Sequence, residues 1–86
     1  MDTKYVTLQH RVETGELVEC AIIFSGELKH NQFDHLYKAR LLGAGFVNIV
    51  ANGVYCWGDS ETLKLKSRQE DNLIVGKALG FNRVEE

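Results

Sequence analysis

The sequence predicts an α+β fold: one domain of 86 residues in the order β-β-α-β-β-β-α, with a mainly antiparallel sheet and two helices packed on one face. Three observations predict this fold. Apolar runs of strand type occupy 4–11, 17–25 and 45–66. A helical period replaces the alternation in 30–42 and again after Ser67. Asn52-Gly53 lies between two apolar runs and is a residue pair that hairpin turns strongly favour.

The N-terminal part is predicted to form two strands joined by a turn. Residues 4–11 alternate between two faces, and 13–16 form the turn. Residues 17–25 carry apolar side chains on both faces, and Glu19 is the one charged residue among them. Because strands covered on both faces have this composition, the second strand is predicted to lie in the interior of the sheet.

The next segment is predicted to be a helix over 30–42, with Asn31 as its N-cap. Its apolar stripe consists of Phe33, Leu36, Tyr37, Arg40 and Leu41. Gly43-Ala44-Gly45 is predicted to end the helix, since glycine adopts the left-handed conformation that helix ends require. The chain then enters the second half of the sheet.

Three strands are predicted beyond residue 45. The first two form a hairpin that turns at Asn52-Gly53, and the run Thr62–Lys66 alternates as a fifth strand. In the first of these strands Val47 and Ile49 share one face. We therefore expect a three-stranded antiparallel meander in this part of the chain.

The second helix is predicted to begin with Ser67 and Glu70, which match the capping box. Asp71 follows near the positive end of the helix dipole, where a carboxylate is favourable. Its inner stripe is predicted to be Leu73, Ile74, Lys77, Ala78 and Phe81. Gly80 is predicted to end the helix, and 82–86 is predicted to be a flexible polar tail.

Charge and hydropathy exclude several classes of function. Ten basic and twelve acidic residues leave a formal charge of −2, which argues against the broad positive surface of proteins that hold duplex nucleic acid. No apolar run is long enough to span a membrane, and the first residues lack the pattern of a signal peptide. We therefore expect a cytoplasmic protein without a membrane partner. Cys20 and Cys56 have no ligand spacing and are expected to be buried thiols.

No catalytic, cofactor-binding or metal site is predicted. His30 and His35 are five residues apart, a spacing that does not place two imidazoles on one helix face, and His10 is distant in sequence. The glycines form no phosphate-binding loop. An enzyme with an unrecognised site stays an alternative. It requires a deep pocket that gathers a carboxylate and at least two of the histidines and cysteines.

The aromatic row, Phe46, Tyr55 and Trp57, is one candidate contact surface. The predicted alternation places these side chains on a sheet face that could be open. A soluble monomer seldom leaves such an apolar surface bare. The row therefore predicts an interface, either in a homodimer or with another protein.

The basic strip, Lys64, Lys66 and Arg68, is the second candidate surface. If the strand continued through Arg68, all three side chains would point the same way and could contact an anion or the phosphates of single-stranded nucleic acid. Tyr55 and Trp57 would then supply stacking platforms for bases. The alternative is a solvated edge strand whose lysines prevent pairing with another chain.

The C-terminal half also carries a resemblance. The runs concerned are Gly45-Phe46-Val47, Tyr55-Cys56-Trp57-Gly58 and 60–71, which ends in Ser67-Arg68-x-x-Asp71. They resemble the C-terminal half of small uncharacterised bacterial proteins, some of them encoded in prophages. The resemblance implies an accessory protein of unknown function and no catalytic residue. We expect a non-catalytic interaction module that self-associates, with single-stranded nucleic-acid binding as the alternative.

Overall fold

The computed structural model describes residues 3–29, 40–51, 53–61 and 63–80. Four strands form an antiparallel sheet in the order β2-β1-β3-β4: β1 (Thr3–Arg11), β2 (Leu17–Ser25), β3 (Arg40–Val50) and β4 (Gly53–Trp57). The short strands β5 (Asp59–Ser60) and β6 (Leu65–Lys66) pair separately, and α1 (Gln69–Ala78) follows them. A small α+β fold with an antiparallel sheet is thus confirmed.

The centre of the sheet is β1. It pairs with β2 from Thr3↔Ser25 to Arg11↔Leu17 and with β3 on its other side. Because both neighbours and both faces are covered, Tyr5, Val6 and Thr7 are fully buried. The core of the protein is therefore built around its first strand.

Each face of the sheet has its own apolar cluster. On one face α1 inserts Val75 against Tyr5, Val47 and Cys56. On the opposite face Leu63 and Leu65, from the β5–β6 hairpin, pack against a cluster that contains Val6. The sheet is thus a middle layer between α1 and the β5–β6 hairpin.

The predicted interior position of the second strand is wrong. In the part of the chain that the structure describes, β2 has one neighbouring strand, β1, and forms an edge of the sheet. Its two-sided apolar pattern is present, but every residue from Leu17 to Ile23 is exposed or only half-buried. The strand order places the more polar β1 in the centre because β3 pairs with β1 and not with β2.

The predicted helix over 30–42 is wrong at its C-terminal end, and its residues 30–39, with the Asn31 cap, lie outside the described residues. Arg40, Leu41 and Leu42 belong to β3. Gly43-Ala44-Gly45, predicted to stop the helix, is buried in the same strand. Pairing with β1, which begins at Gln9↔Arg40, overrides the local helical spacing.

The predicted hairpin between the third and fourth strands is present, but its turn lies one residue earlier in the chain. Val50 pairs with Gly53, so the connecting residues are Ala51 and Asn52, of which Asn52 lies outside the described residues. Gly53 is the first residue of β4 and does not have a positive φ. The glycine therefore begins the strand and is not a central residue of the turn.

The predicted strand Thr62–Lys66 is reduced to Leu65 and Lys66. Thr62 lies outside the described residues, and the chain turns at 63–64, where Lys64 has a φ of 58°. β6 pairs with β5, whose strand character the sequence pattern did not predict. The meander therefore ends at β4, and a separate small hairpin follows it.

The C-terminal helix is confirmed, but its cap and its inner face differ from the prediction. Arg68 is the N-cap residue, and the Asp71 carboxylate takes the role predicted for Glu70. The buried helical residues are Asp71, Val75 and Gly76. In the predicted inner stripe Leu73, Lys77 and Ala78 are exposed, Ile74 is half-buried, and Phe81 lies outside the described residues. Gly80 has a φ of 93° and ends the helix as predicted.

Candidate functional site

The carboxylate of Asp71, in the first turn of α1, is fully buried and accepts hydrogen bonds from three other residues. Tyr5 donates its hydroxyl hydrogen to Oδ2 at 2.6 Å, and Thr7 donates to Oδ1 at 3.0 Å. The Arg68 backbone N–H donates to Oδ2 at 3.0 Å. The Arg68 guanidinium donates to Oδ1 from Nε at 3.0 Å and from Nη2 at 2.7 Å. We call these four residues the Asp71 cluster.

The cluster holds α1 on the sheet and determines which way the helix faces. Its hydroxyl donors come from β1, and its guanidinium donor comes from the residue before the helix. A buried carboxylate requires such donors, because an unpaired charge in a protein interior is very unfavourable. The first turn of α1 therefore places Asp71 inward and leaves Leu73 51% exposed.

Gly43 provides the space for this carboxylate. A Cβ atom at that position would lie 2.3 Å from Oδ2 of Asp71 and 3.1 Å from Oγ1 of Thr7. Both neighbours are fully buried, so neither can move into solvent to relieve the contact. Glycine in β3 is thus required where the helix carboxylate reaches the sheet.

Cys56 and Tyr5 border the carboxylate and are both protonated at neutral pH. Burial, followed by the negative charge of Asp71, raises the pKa of the Cys56 thiol to about 11, although a hydrogen bond with Tyr5 opposes the rise. Burial and the hydrogen bond to Asp71 raise the pKa of Tyr5 above its ordinary value. Since the thiolate is the reactive form of cysteine, this thiol is a poor nucleophile.

Because the pKa of Cys56 is raised, the protein should lose stability at alkaline pH. The unfolded thiol loses its proton near pH 9 and the folded thiol near pH 11, so the folded state binds more protons between these values. The contribution of Cys56 to the free energy of unfolding is therefore fully present below pH 9 and is lost as pH rises towards 11. The raised pKa of Tyr5 acts in the same direction at higher pH. Urea denaturation should show a steeper fall across this window for the wild type than for Cys56→Ala. Equal slopes would contradict the raised pKa.

Asn72 connects the helix to the outer side of β4. Its side-chain oxygen accepts the backbone N–H of Cys56 at 2.7 Å. This N–H points away from β3 and would otherwise be unpaired at the sheet edge. The edge formed by β4 is thus closed at its middle by α1.

The aromatic row lies together on the sheet face opposite α1, because Phe46 pairs with Trp57 and the alternation places Tyr55 on the same side. Phe46 and Trp57 stack with ring centroids 4.8 Å apart, and both are half-buried. The buried indole N–H of Trp57 has no acceptor among the described residues. Tyr55 is 55% exposed. Tyr55 is therefore the member of the row most available to a partner.

The basic strip does not form one continuous row. Lys64 lies in the turn before β6, Lys66 lies in β6, and both side chains are exposed. Arg68 is half-buried and forms an ion pair with Asp71. Contact of these three residues with an anion or nucleic acid stays a prediction, and the structure leaves the two lysines as its accessible charges.

A shallow groove of about 630 Å³ runs between β2 and the exposed side of α1. Its walls include Val18, Glu19 and Cys20 from β2 and Leu73, Ile74 and Lys77 from α1. Burial raises the pKa of Cys20, which is half-buried. We call this feature the edge groove. Four residues that the sequence predicted for the inner stripe of the helix therefore line the edge groove: Leu73, Ile74, Lys77 and Ala78.

The described residues do not assemble a metal site or a membrane-spanning helix. No three His, Cys, Asp or Glu side chains of 3–29, 40–51, 53–61 and 63–80 lie close enough together to hold a metal ion. None of the helical segments within those ranges is long and apolar enough to cross a membrane. Cys56 lies beside Asp71 and Tyr5, and His30 and His35 lie outside the described residues.

Sequence reasoning assigned Asp71 only to the positive end of a helix and did not predict its burial. One available signal was the spacing of Arg68 and Asp71, because an arginine three residues before an aspartate can form a local ion pair. The role of Tyr5 and Thr7 had no local signal, since they lie 66 and 64 residues from their acceptor.

Comparison with known proteins adds no assignment. No protein-family model matches this chain, and neither a curated protein nor a solved structure matches it. The resemblance to small bacterial and prophage proteins therefore stays a prediction. The function of the chain is therefore inferred from its geometry.

Proposed function

We propose that this protein is a non-catalytic interaction module that acts as a homodimer. The observation that carries the proposal is the number of large apolar side chains that a small core leaves exposed. Seven large apolar side chains of the described residues are exposed, against eight buried apolar residues. The exposed residues are Leu17, Leu28, Ile49, Val50, Tyr55, Leu73 and Leu79. Small domains often complete their stability by association, and open apolar surface commonly marks the contact.

The chemistry of the Asp71 cluster supports a non-catalytic role. All four lone-pair directions of a carboxylate are in demand there, since Asp71 accepts bonds from two hydroxyl groups, one backbone N–H and a guanidinium. The neighbouring Cys56 thiol stays protonated at neutral pH. A group held in this way stabilises the fold and has no free lone pair for a substrate.

Sedimentation velocity over a range of protein concentrations tests the proposal. We expect the wild-type protein to sediment with twice the monomer mass at high micromolar concentration and to dissociate on dilution. A protein that keeps the monomer mass at high micromolar concentration would contradict the proposal. Tyr55→Ser, measured in parallel, tests whether the aromatic row takes part in the contact, because it removes the exposed ring and leaves the Phe46–Trp57 stack in place.

A further inference from the structure

Among the described residues, no strand pairs with the outer edge of β2. Val12 donates to Glu16 across the turn, and the antiparallel alternation then places the bonded pairs with β1 at Val18, Cys20 and Ile22. The residues between them, Glu19, Ala21 and Ile23, direct their N–H and C=O groups away from β1. No described residue pairs with these outward groups.

β2 also lacks the features with which proteins usually protect an edge strand. Such edges are short, interrupted by a bulge, or rich in lysine or proline. β2 has nine residues, pairs with β1 in one uninterrupted register, and contains Glu19 as its single charge. The other edge, β4, has five residues and is closed by Asn72. The two edges thus differ in the way expected if one of them pairs with another strand.

The composition of β2 points in the same direction. Apolar side chains on both faces are typical of a strand with neighbours on both sides. Beside its open edge, Leu73 and Ile74 of α1 form an apolar wall of the edge groove. Leu17 at the start of β2 is 53% exposed and Leu73 is 51% exposed. A strand added at this edge would cover both the backbone groups and this apolar wall.

We propose that the occupant of this edge is β2 of a second copy, paired antiparallel about a two-fold axis at Ala21; this inference rests on the proposed homodimer. With the axis at Ala21, the two β2 strands overlap over all nine residues, and Leu17 lies opposite Ser25 and Cys20 opposite Ile22 of the other copy. Glu19 then faces Ile23, so the single charge of the strand does not meet its own copy. Each α1 contributes Lys77 to the groove that contains Glu19, which gives the seam charges of both signs.

The consequence is an eight-stranded antiparallel sheet with both α1 helices on one face. The two-fold axis is perpendicular to the sheet, so Leu73 and Ile74 of the two copies approach each other across the seam. A self-complementary contact of this kind closes after two copies and does not propagate. The aromatic row lies on the opposite face and takes no part in it.

One experiment removes a single outward donor from β2. Glu19→Pro deletes the N–H of a residue that does not bond β1, and Glu19→Thr is the matched control that keeps this N–H while removing the charge. In sedimentation velocity, we expect Glu19→Pro to raise the dimer dissociation constant at least about tenfold, since two hydrogen bonds per dimer are lost. Glu19→Thr and Tyr55→Ser should remain dimeric. Far-UV circular dichroism verifies that each variant is folded.

A second experiment tests the register and does not depend on Glu19→Pro folding. Opposed residues at Cys20 and Ile22 would have Cα atoms about 4.5 Å apart, within disulfide range. Mild oxidation of Ile22→Cys should therefore give a covalent dimer through Cys20. Val18→Cys adds a thiol to the same face but opposes Phe24, and it should stay monomeric on a non-reducing gel. The wild type should also stay monomeric on this gel, because the Cα atoms of its two Cys20 residues would lie roughly 8 Å apart in the dimer, beyond the disulfide limit.

The outcomes separate this inference from the proposed function. A wild-type monomer at high micromolar concentration overturns both. A wild-type dimer that Glu19→Pro leaves intact and Tyr55→Ser dissociates overturns the β2 contact and keeps the homodimer. Equal crosslinking of Ile22→Cys and Val18→Cys overturns the register at Ala21. Selective crosslinking of Ile22→Cys in a dimeric protein supports the whole inference.

Discussion

We expect Asp71→Ala to lower the free energy of unfolding by about 3 to 5 kcal/mol, the range measured when one partner of a buried ion pair is removed. The substitution leaves the hydroxyl of Tyr5 buried without its acceptor, which is unfavourable by about 1 to 3 kcal/mol, and leaves Thr7 only the carbonyl oxygen of Gly43 at 3.4 Å. Arg68 loses its ion pair but is partly exposed, so its guanidinium can turn to water. Domains of this size are stable by about 5 to 15 kcal/mol, so the loss is a large fraction.

Urea denaturation followed by circular dichroism measures this loss. Asp71→Asn keeps the shape and one acceptor oxygen of the side chain and is expected to lose less stability than alanine. Glu70→Ala is the matched control, because Glu70 is the exposed neighbour in the same helical turn. Its change should stay within about 0.5 kcal/mol, as is usual for surface substitutions. An Asp71→Ala protein as stable as the Glu70→Ala protein would show that the cluster does not hold the helix.

The second large effect is expected for Gly45→Ala, which should lower the free energy of unfolding by about 3 kcal/mol. A Cβ atom at this position would lie 2.4 Å from the carbonyl oxygen of Trp57 and 3.3 Å from its carbon. These are backbone atoms of β4, which is hydrogen-bonded to β3 from Phe46↔Trp57 onward. The two strands must therefore separate locally to accept a methyl group. An obstructing side chain could have rotated away, but these backbone atoms cannot.

Gly53→Ala provides the control in the same hairpin. No atom lies within 4 Å of a Cβ atom built there, and the residue does not have a positive φ. Alanine restricts the unfolded chain, so stability should stay unchanged or rise by up to about 1 kcal/mol. Comparison of the two urea midpoints separates a steric effect at Gly45 from a general effect of losing glycine. Similar losses in both variants would exclude the backbone contact as the cause.

Local patterns predicted the parts of the fold that depend on local chemistry. The strand 17–25, the hairpin of 45–57 and the helix end at Gly80 follow from alternation, turn residues and the left-handed preference of glycine. The identity of the central strand did not follow, because an apolar pattern on both faces cannot distinguish an interior strand from an edge that pairs with another chain. The extension of β3 back to Arg40 likewise depends on pairing with β1, which leaves no periodic signal in the sequence.

The candidate site was predictable in part. The aromatic row does share one sheet face, as alternation requires, but the mutual stacking of Phe46 and Trp57 could not be read from spacing. For α1, apolar periodicity selected the stripe of Leu73 and Ile74, whereas the buried carboxylate of Asp71 determined which side faces the sheet. A single buried charge thus outweighed the weak apolar asymmetry of the helix, and the apolar stripe was left beside the edge of β2.

The span of the Asp71 cluster along the chain has a consequence for biosynthesis. The hydroxyl of Tyr5 and its acceptor are 66 residues apart, so during translation at about 5 to 20 residues per second the tyrosine precedes Asp71 by roughly 3 to 13 s. In that interval neither α1 nor the Asp71 carboxylate is present to pair with the hydroxyl groups of Tyr5 and Thr7. Asp71 is synthesised after all four strands of the sheet, so α1 can dock only when the strands that it covers have already been made.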